Sequence, residues 1–146
     1  MARRQVRADR PRLTSVPNIL EQPLHLGLGA TASVEPPFTG LDWYTAYSAR
    51  HAADGAEGRL VAMWRFDADW DSWEMHPRGD EVVICIDGTM TLHQEHADGR
   101  SESVTLGAGD YAINPPGTWH TADVAGPATA LFITAGEGTT HRPRDR

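Results

Sequence analysis

The chain has 146 residues and a mass of 16.0 kDa, the size of one domain. It contains no lysine, which excludes Schiff-base chemistry and a P-loop lysine, and a single cysteine, which excludes an internal disulfide framework. Residues 1–12 carry five arginines and one aspartate, a net charge of +4, so the remaining residues sum to −11 within a total of −7. An acidic body disfavours nucleic-acid binding, and no apolar run is long enough to predict a membrane span. We therefore expect a protein of the cytoplasm.

The order of local patterns predicts a β-domain preceded by an irregular segment. Residues 1–40 are rich in proline and lack periodicity, which predicts a basic tail and an irregular or edge segment. Short alternating runs then recur every 8–12 residues or so, separated by glycine-bearing turns, a spacing typical of a sandwich or barrel. The predicted strands cover residues 41–49, 59–67, 72–76, 81–87, 89–96, 101–106, 110–114, 118–124 and 128–135. The barrel domain would thus span 41–136, with a C-terminal tail over 137–146.

A group of histidine and glutamate residues has the spacing of a metal site. Side chains two residues apart on a strand share a face, so Glu74 and His76 point the same way. Glu81 opens a strongly β-branched strand after a short loop, and His120 lies on a much later strand. Two histidines and one carboxylate that meet inside a barrel leave open coordination positions, which suits Fe(II) and related divalent metals. Glu74 would be either a fourth ligand or a nearby acid–base group.

Two segments resemble the conserved motifs of cupins. Residues 73–88, WEMHPRGDEVVICIDG, resemble the first cupin motif, with His76 at its second histidine position and Glu81 at its glutamate. Residues 109–124, GDYAINPPGTWHTADV, resemble the second motif. Its matching positions are Gly109, Pro115, Gly117 and His120. The sequence departs from the pattern where Glu74 replaces the first histidine and Val124 replaces the final asparagine.

The resemblance implies an all-β protein, a cupin-type double-stranded jelly-roll β-barrel. It also implies a divalent metal held by His76, Glu81 and His120, with Glu74 as a further ligand or as a catalytic proton-transfer group. The more anionic donor set favours Fe(II) or Mn(II), with Ni(II) and Zn(II) as alternatives. The expected function is that of a small-molecule metal-dependent cupin, first a non-haem oxidoreductase of the dioxygenase kind. The alternatives are a metal-dependent isomerase or cyclase, and a non-catalytic small-ligand-binding cupin. We also expect a homodimer, paired through sheet edges or swapped N-terminal strands.

Several other residues are predicted to have no part in the site. Met90 and Leu92 mark the buried face of one strand, so His93 falls on its solvent face. The same alternation sends Trp73 and Trp119 outward, since their neighbours point inward. Cys85 would point into the core, where a thiol is usually inert. His141 lies in an arginine-rich terminal segment that we expect to be disordered.

Overall fold

Two antiparallel sheets make up the protein in a computed structural model that describes residues 16–145. The strands are β1 (Leu24–Gly27), β2 (Thr31–Val34), β3 (Arg59–Phe66), β4 (Ser72–Met75), β5 (Glu81–Asp87), β6 (Met90–Glu95), β7 (Ser101–Leu106), β8 (Tyr111–Asn114), β9 (Trp119–Asp123), β10 (Ala128–Thr134) and β11 (Thr140–Pro143). One helix, α1 (Leu41–Arg50), and two short 3₁₀ segments, Leu28–Ala30 and Ala52–Glu57, complete the described elements. The predicted basic tail over residues 1–12 lies outside the described residues.

The strand order is that of a jelly roll. One sheet has six strands in the order β2-β1-β3-β10-β5-β8, and the other has five in the order β11-β4-β9-β6-β7. Strands β3 to β10 supply four consecutive strands of each sheet, as two packed Greek keys do. The remaining strands, β1, β2 and β11, lengthen the two sheets at one edge each. The prediction of an all-β jelly roll is confirmed.

Strict alternation of side chains explains how the strands bury one face. In β5, Glu81, Val83 and Cys85 are buried, whereas Val82 and Ile84 between them are only half-buried. The turn after β5 needs glycine, because Gly88 has φ +77° and a Cβ there would lie 2.4 Å from a backbone oxygen. The inward face thus forms one core. Its buried members are Ala62, Trp64, Phe66, Trp70, Val83, Cys85, Met90, Leu92, Leu106, Ala122, Ala130 and Phe132.

The strand predicted over residues 41–49 is wrong, because this segment is helix α1. Trp43 and Tyr47 stand one helical turn apart, and their rings stack with centroids 5.3 Å apart. Asp42 lies in the first turn and Arg50 in the last, where each charge opposes the helix dipole. Residues four positions apart, such as Trp43 and Tyr47, share a face in a strand as well as in a helix. The sequence pattern therefore did not distinguish the two, and contacts with the rest of the fold favour the helix. Trp43 packs on Phe38, which itself contacts Trp64 of the core.

Two further regions differ from their sequence description. Strands β1 and β2 form a hairpin that pairs with β3, so part of the segment before residue 41 extends the six-stranded sheet. Strand β11 pairs with β4, so the prediction of disorder around His141 is wrong. Among the described residues, no helix is both long and apolar enough to cross a membrane.

Candidate metal centre

Polar residues from both sheets meet in one layer of the barrel. In the five-stranded sheet, Glu74 of β4 lies directly opposite His120 of β9. In the six-stranded sheet, Glu81 of β5 lies between Thr134 of β10 and Asn114 of β8 in the strand register. The two rows approach each other across the barrel, because both point to its interior. The structure therefore places a carboxylate of one sheet against a histidine and a carboxylate of the other.

The four predicted ligands come together as one cluster. His76 Nε2 lies 3.1 Å from one carboxylate oxygen of Glu81, and His120 Nε2 lies 3.1 Å from the other. Glu74 Oε1 is farther away, 3.5 Å from His76 Nε2 and 3.8 Å from His120 Nε2. One ligand atom from each residue lies within 4.8 Å of every other. We call these four residues the metal-candidate cluster. His76, Glu81 and His120 are buried, whereas Glu74 is partly exposed.

The tautomer of His76 follows from its contact with Thr139. The Thr139 hydroxyl lies 2.8 Å from the Gly136 carbonyl oxygen and also 2.8 Å from His76 Nδ1. A carbonyl oxygen only accepts, so the single hydroxyl hydrogen is donated to Gly136. The Nδ1–H of His76 must then donate to Thr139. In neutral His76, the lone pair is consequently on Nε2, the atom that faces Glu81.

His120 has the same tautomer, which in its case is set by a backbone carbonyl oxygen. Its Nδ1 lies 3.4 Å from the Thr118 carbonyl oxygen, which can only accept. The proton of a neutral ring is thereby placed on Nδ1 and the lone pair on Nε2. The Nε2 atoms of His76 and His120 are both buried without a hydrogen-bond partner among the described residues, although each has a carboxylate oxygen 3.1 Å away. Buried nitrogens that lack a partner are costly, and a metal ion would satisfy both.

Glu81 is held in place by its own hydrogen bonds. The Asn114 side-chain amide donates to Glu81 Oε1 at 3.0 Å, and the Thr134 hydroxyl donates to Oε2 at 2.7 Å. Asn114 is oriented in turn by Gln94, whose amide donates to Asn114 Oδ1 at 2.7 Å. Donors on both oxygens keep the carboxylate ionised and fix its plane. Such supporting bonds are typical of residues that bind metals.

The cluster is electrostatically prepared for positive charge. Burial lowers the pKa of His76 and of His120, but the Glu74 and Glu81 carboxylates outweigh burial and raise these pKa values to about 9 and about 10. Burial raises the pKa of Glu81, but His120 and His76 outweigh it and lower the pKa to about 2. Glu74 has its pKa lowered well below the ordinary value, since three histidines outweigh the effect of burial. The field that favours protonated imidazoles also favours a divalent cation in their place.

The donor set fits a divalent metal. Two ligands at right angles on a metal with bonds of about 2.1 Å lie about 3.0 Å apart, close to the separations from Glu81 to the two imidazoles. Two imidazole nitrogens and carboxylate oxygens form the intermediate-to-hard set that suits Fe(II), Mn(II), Ni(II) or Zn(II). The residues present could therefore hold such an ion, and they do not by themselves choose among these metals.

Two residues that contact the metal-candidate cluster, His141 and Thr139, were not predicted from the sequence. His141 lies opposite Glu74 in the register of β11 and β4, and its Nε2 is 3.3 Å from Glu74 Oε2. Thr139 contacts His76 from the turn before β11. Neither residue belongs to either motif, and only the pairing of β11 with β4 brings them near. Their spacing in the sequence contains no signal that would have found them.

The predicted placements of Trp73, Trp119, His93 and Cys85 are confirmed. Trp73 and Trp119 lie on the outer face, where the Arg142 guanidinium stands 5.2 Å from one ring centroid and 4.5 Å from the other. His93 bonds with Asp123 and Ser103 outside the barrel, and Cys85 is buried in the core. An open groove of about 750 Å³ crosses the same outer face. None of the four candidate ligands lines this groove.

Comparison with family models identifies the fold family. Residues 63–136, half of the chain, match the model of the cupin domain. The chain belongs to the cupin family. This cupin domain contains all four residues of the metal-candidate cluster, from Glu74 to His120. None of the curated proteins matches the chain.

Several solved structures are similar to this chain at low sequence identity. An oxalate oxidase is 18% identical with a TM-score of 0.50, over 56% of this chain and 45% of its own. A variant of the oxalate decarboxylase of B. subtilis is 17% identical with a TM-score of 0.52, over 66% of this chain and 26% of its own. Hydroquinone 1,2-dioxygenase from Sphingomonas sp. TTNP3 is 20% identical with a TM-score of 0.46, over 52% of this chain and 59% of its own. This cupin thus spans less than two thirds of these proteins.

Proposed function

We propose that this cupin is a metal-dependent oxidoreductase that acts on a small organic substrate with O₂, in the manner of a non-haem dioxygenase. The observation that carries the proposal is the pair of buried imidazoles, His76 and His120, whose unpartnered Nε2 atoms converge on Glu81. Two histidines and one carboxylate leave coordination positions open for substrate and O₂. Each of these Nε2 atoms faces a carboxylate oxygen at 3.1 Å, an arrangement in which a cation can lie between nitrogen and oxygen.

His76, Glu81 and His120 would hold the metal, with Fe(II) favoured. A bound metal would supply Lewis acidity toward substrate oxygens and redox chemistry with O₂. Asn114 and Thr134 keep Glu81 anionic and immobile by donating to its two oxygens. The indole of Trp70 packs edge-on near His120, with centroids 6.3 Å apart, and excludes water from that side.

Glu74 has the position of a proton-transfer group. It is the most exposed member of the metal-candidate cluster, and its Oε1 is farther from both imidazoles than the oxygens of Glu81 are. Its other oxygen contacts His141, which is exposed to solvent. Glu74 would take a proton from a substrate hydroxyl at Oε1 and release it toward solvent past His141. The alternative role, a fourth metal ligand, uses the same oxygen.

Isomerisation or cyclisation is the second candidate, and it would use the carboxylate of Glu74, which is partly exposed and lies beside both imidazoles. Such a reaction moves a proton within one substrate and needs no oxidant. The oxalate oxidase and the oxalate decarboxylase share one fold but differ in reaction, so the fold does not choose between the two candidates.

Oxygen uptake is the measurement that separates the candidates. The protein would be analysed for metal, stripped with a chelator, reloaded anaerobically with Fe(II), and mixed with 1,2-diols, diketones and phenols in an oxygen electrode. We expect uptake that requires both metal and substrate, and loss of uptake in His120→Ala. Product formation without uptake would favour the isomerase. Saturable substrate binding without any product would show a ligand-binding cupin.

A further inference from the structure

Three polar side chains from neighbouring strands form a hydrogen-bonded chain on the outer face of the five-stranded sheet. His93 of β6 lies opposite Ser103 of β7 in the strand register, and Asp123 ends β9 on the other side of β6. The Ser103 hydroxyl oxygen lies 2.7 Å from His93 Nδ1, and His93 Nε2 lies 2.9 Å from Asp123 Oδ2. We call these three residues the outer triad. Alternation along the strands places it on the opposite face of the sheet from the metal-candidate cluster.

The direction of these hydrogen bonds follows from the charge on Asp123. The Arg144 guanidinium lies 2.7 Å from Asp123 Oδ1, and its hydrogen bond, together with that of His93, lowers the pKa of the carboxyl to about 2. An ionised carboxylate only accepts, so the Nε2–H of His93 is the donor to Asp123. In neutral His93 the lone pair is therefore on Nδ1, and the Ser103 hydroxyl donates to it.

This hydrogen-bonding pattern is the one that activates a serine as a nucleophile. The serine needs a base that accepts the hydroxyl proton, and the base needs a carboxylate that fixes its tautomer and stabilises its charged form. In the serine proteases the serine contacts Nε2 and the carboxylate contacts Nδ1. In the outer triad the two ring nitrogens exchange these roles. The exchange changes the orientation of the ring and leaves the proton transfer the same.

The groove on this face gives a small molecule access to the outer triad. All three residues line the open groove of about 750 Å³, and Ser103 is exposed. Strand β7 is at the edge of its sheet, and an edge strand presents backbone N–H groups that lie outside the ladder. Backbone N–H groups next to a nucleophile are the usual donors to the oxyanion in acyl transfer. Four carboxylates and two guanidinium groups line the groove, so it disfavours an anionic substrate.

We propose that the outer triad is a metal-independent active site, separate from the metal-candidate cluster, that hydrolyses small uncharged carboxylic esters. Ser103 Oγ attacks the carbonyl carbon of the ester, and His93 Nδ1 takes the hydroxyl proton. This proton passes to the alkoxy oxygen as its bond to the carbonyl carbon breaks, which releases the alcohol. Water then attacks the acyl group on Ser103 with His93 as the base, and the carboxylic acid is released as Ser103 regains its proton. Asp123 is a positioning residue that acts through His93.

The test is hydrolysis of p-nitrophenyl acetate by the full chain, with and without a chelator. We expect a burst of about one p-nitrophenolate per chain in both conditions, followed by slower turnover. The chain has no lysine, so no lysine amine competes for the acetyl group. Ser103→Ala should abolish the burst, and His93→Gln should slow it about 100-fold or more. The matched control is Ser101→Ala, which should keep the burst, because Ser101 has the same strand and face but lies opposite Glu95.

Two further measurements separate chemistry from structure. A fluorophosphonate should form one phosphorus–oxygen bond, at Ser103 Oγ, with fluoride as the leaving group, and peptide mass spectrometry locates this bond without any substitution. Asp123→Asn should lower kcat with little change in KM, because the lost charge orients His93 and does not contact the ester. Circular dichroism reports whether each variant is folded.

Four results would overturn the proposal. One is the absence of a burst in wild type, and another is a burst that folded Ser103→Ala retains. The third is a phosphonate label on a residue other than Ser103. The fourth is hydrolysis that the chelator removes, which would place the reaction at the metal-candidate cluster. An increase in KM alone for Asp123→Asn would overturn the role assigned to Asp123.

Discussion

Two histidine–carboxylate clusters occur in this protein, and their hydrogen bonding differs. In the cluster near the N-terminus, His25 Nε2 lies 2.6 Å from Asp54 and its Nδ1 lies 2.6 Å from the Tyr47 hydroxyl. His51 Nε2 lies 2.9 Å from Glu35, which also accepts a 2.8 Å bond from Arg50. Neither ring of this N-terminal cluster has a buried nitrogen without a partner. In the metal-candidate cluster, by contrast, the Nδ1 of each histidine is hydrogen-bonded, and each Nε2 has a Glu81 oxygen 3.1 Å away that is not aligned for a hydrogen bond.

The comparison shows that residue type alone does not indicate a metal site. The residues His25, His51 and Asp54 also lie close enough together to offer three ligand atoms. The His25 and His51 rings stack with centroids 3.6 Å apart. The 2.6 Å distance from His25 Nε2 to Asp54 is that of a hydrogen bond and is shorter than the distance between two ligand atoms on one metal. This cluster ties α1 and the segment after it to β1. The direction of the lone pairs, set by the hydrogen bonds on the far side of each ring, distinguishes the two clusters.

The largest expected effect is on metal content. The double variant His76→Ala, His120→Ala should fall from about one metal ion per chain to none, because both nitrogen ligands are lost. The matched control, His51→Ala in the N-terminal cluster, should keep its metal. Elemental analysis of the purified proteins measures both. Metal retained by the double variant, or lost from His51→Ala, would reverse our assignment of the two clusters.

Removal of the group that orients His76 should have a smaller effect. Thr139→Val has nearly the same shape but no acceptor for the His76 Nδ1–H, so we expect metal affinity to fall about 10–100-fold. Thr139→Ser retains the hydroxyl and should restore most of the affinity. Competition with a chelator of known affinity gives the dissociation constants. Equal affinities for the valine and serine variants would show that Thr139 does not position the ring.

In the N-terminal cluster the expected effect is on stability. Glu35→Gln removes the buried charge that bonds Arg50 and His51, and we expect the free energy of unfolding to fall by about 2 kcal/mol. Metal content should not change. Urea unfolding followed by tryptophan fluorescence measures the difference. If Glu35→Gln lost metal but kept its stability, the N-terminal cluster would not have the structural role that we assign to it.

The smallest effect concerns pH. In metal-free protein, the raised pKa values of His76 and His120 contribute stability that is complete below pH 6.5 or so and is lost as pH rises through about 9 to about 10. The lowered pKa of Glu81 contributes stability that is complete above pH ~4.3 and is lost as pH falls through about 2. Metal binding needs neutral imidazoles, so added metal should stabilise the protein more as pH rises. The difference between the melting temperatures with and without metal should therefore grow from pH 6 through 7.5 to 9. A difference that does not change with pH would contradict the ligand assignment.

The eight strands of the jelly roll were predictable because their signal is local. Strands β5 and β7 have the predicted bounds, 81–87 and 101–106, since alternation and the flanking glycine turns lie within each segment. Helix α1 was not predictable in this way. The spacing of Trp43 and Tyr47 becomes decisive only when Phe38 and the stacked aromatic rings are near.

The sequence by itself determined which residues are candidate ligands, because His76, Glu81 and His120 stand in two motifs with characteristic internal spacing. Only the tertiary structure decided what these side chains face. Thr139 and His141 reach the cluster through the pairing of β11 with β4, and Asn114 reaches Glu81 through the register of β8. These contacts join residues up to 67 positions apart in the chain. They depend on strand order and register, which are set by packing of the whole core and not by any local pattern.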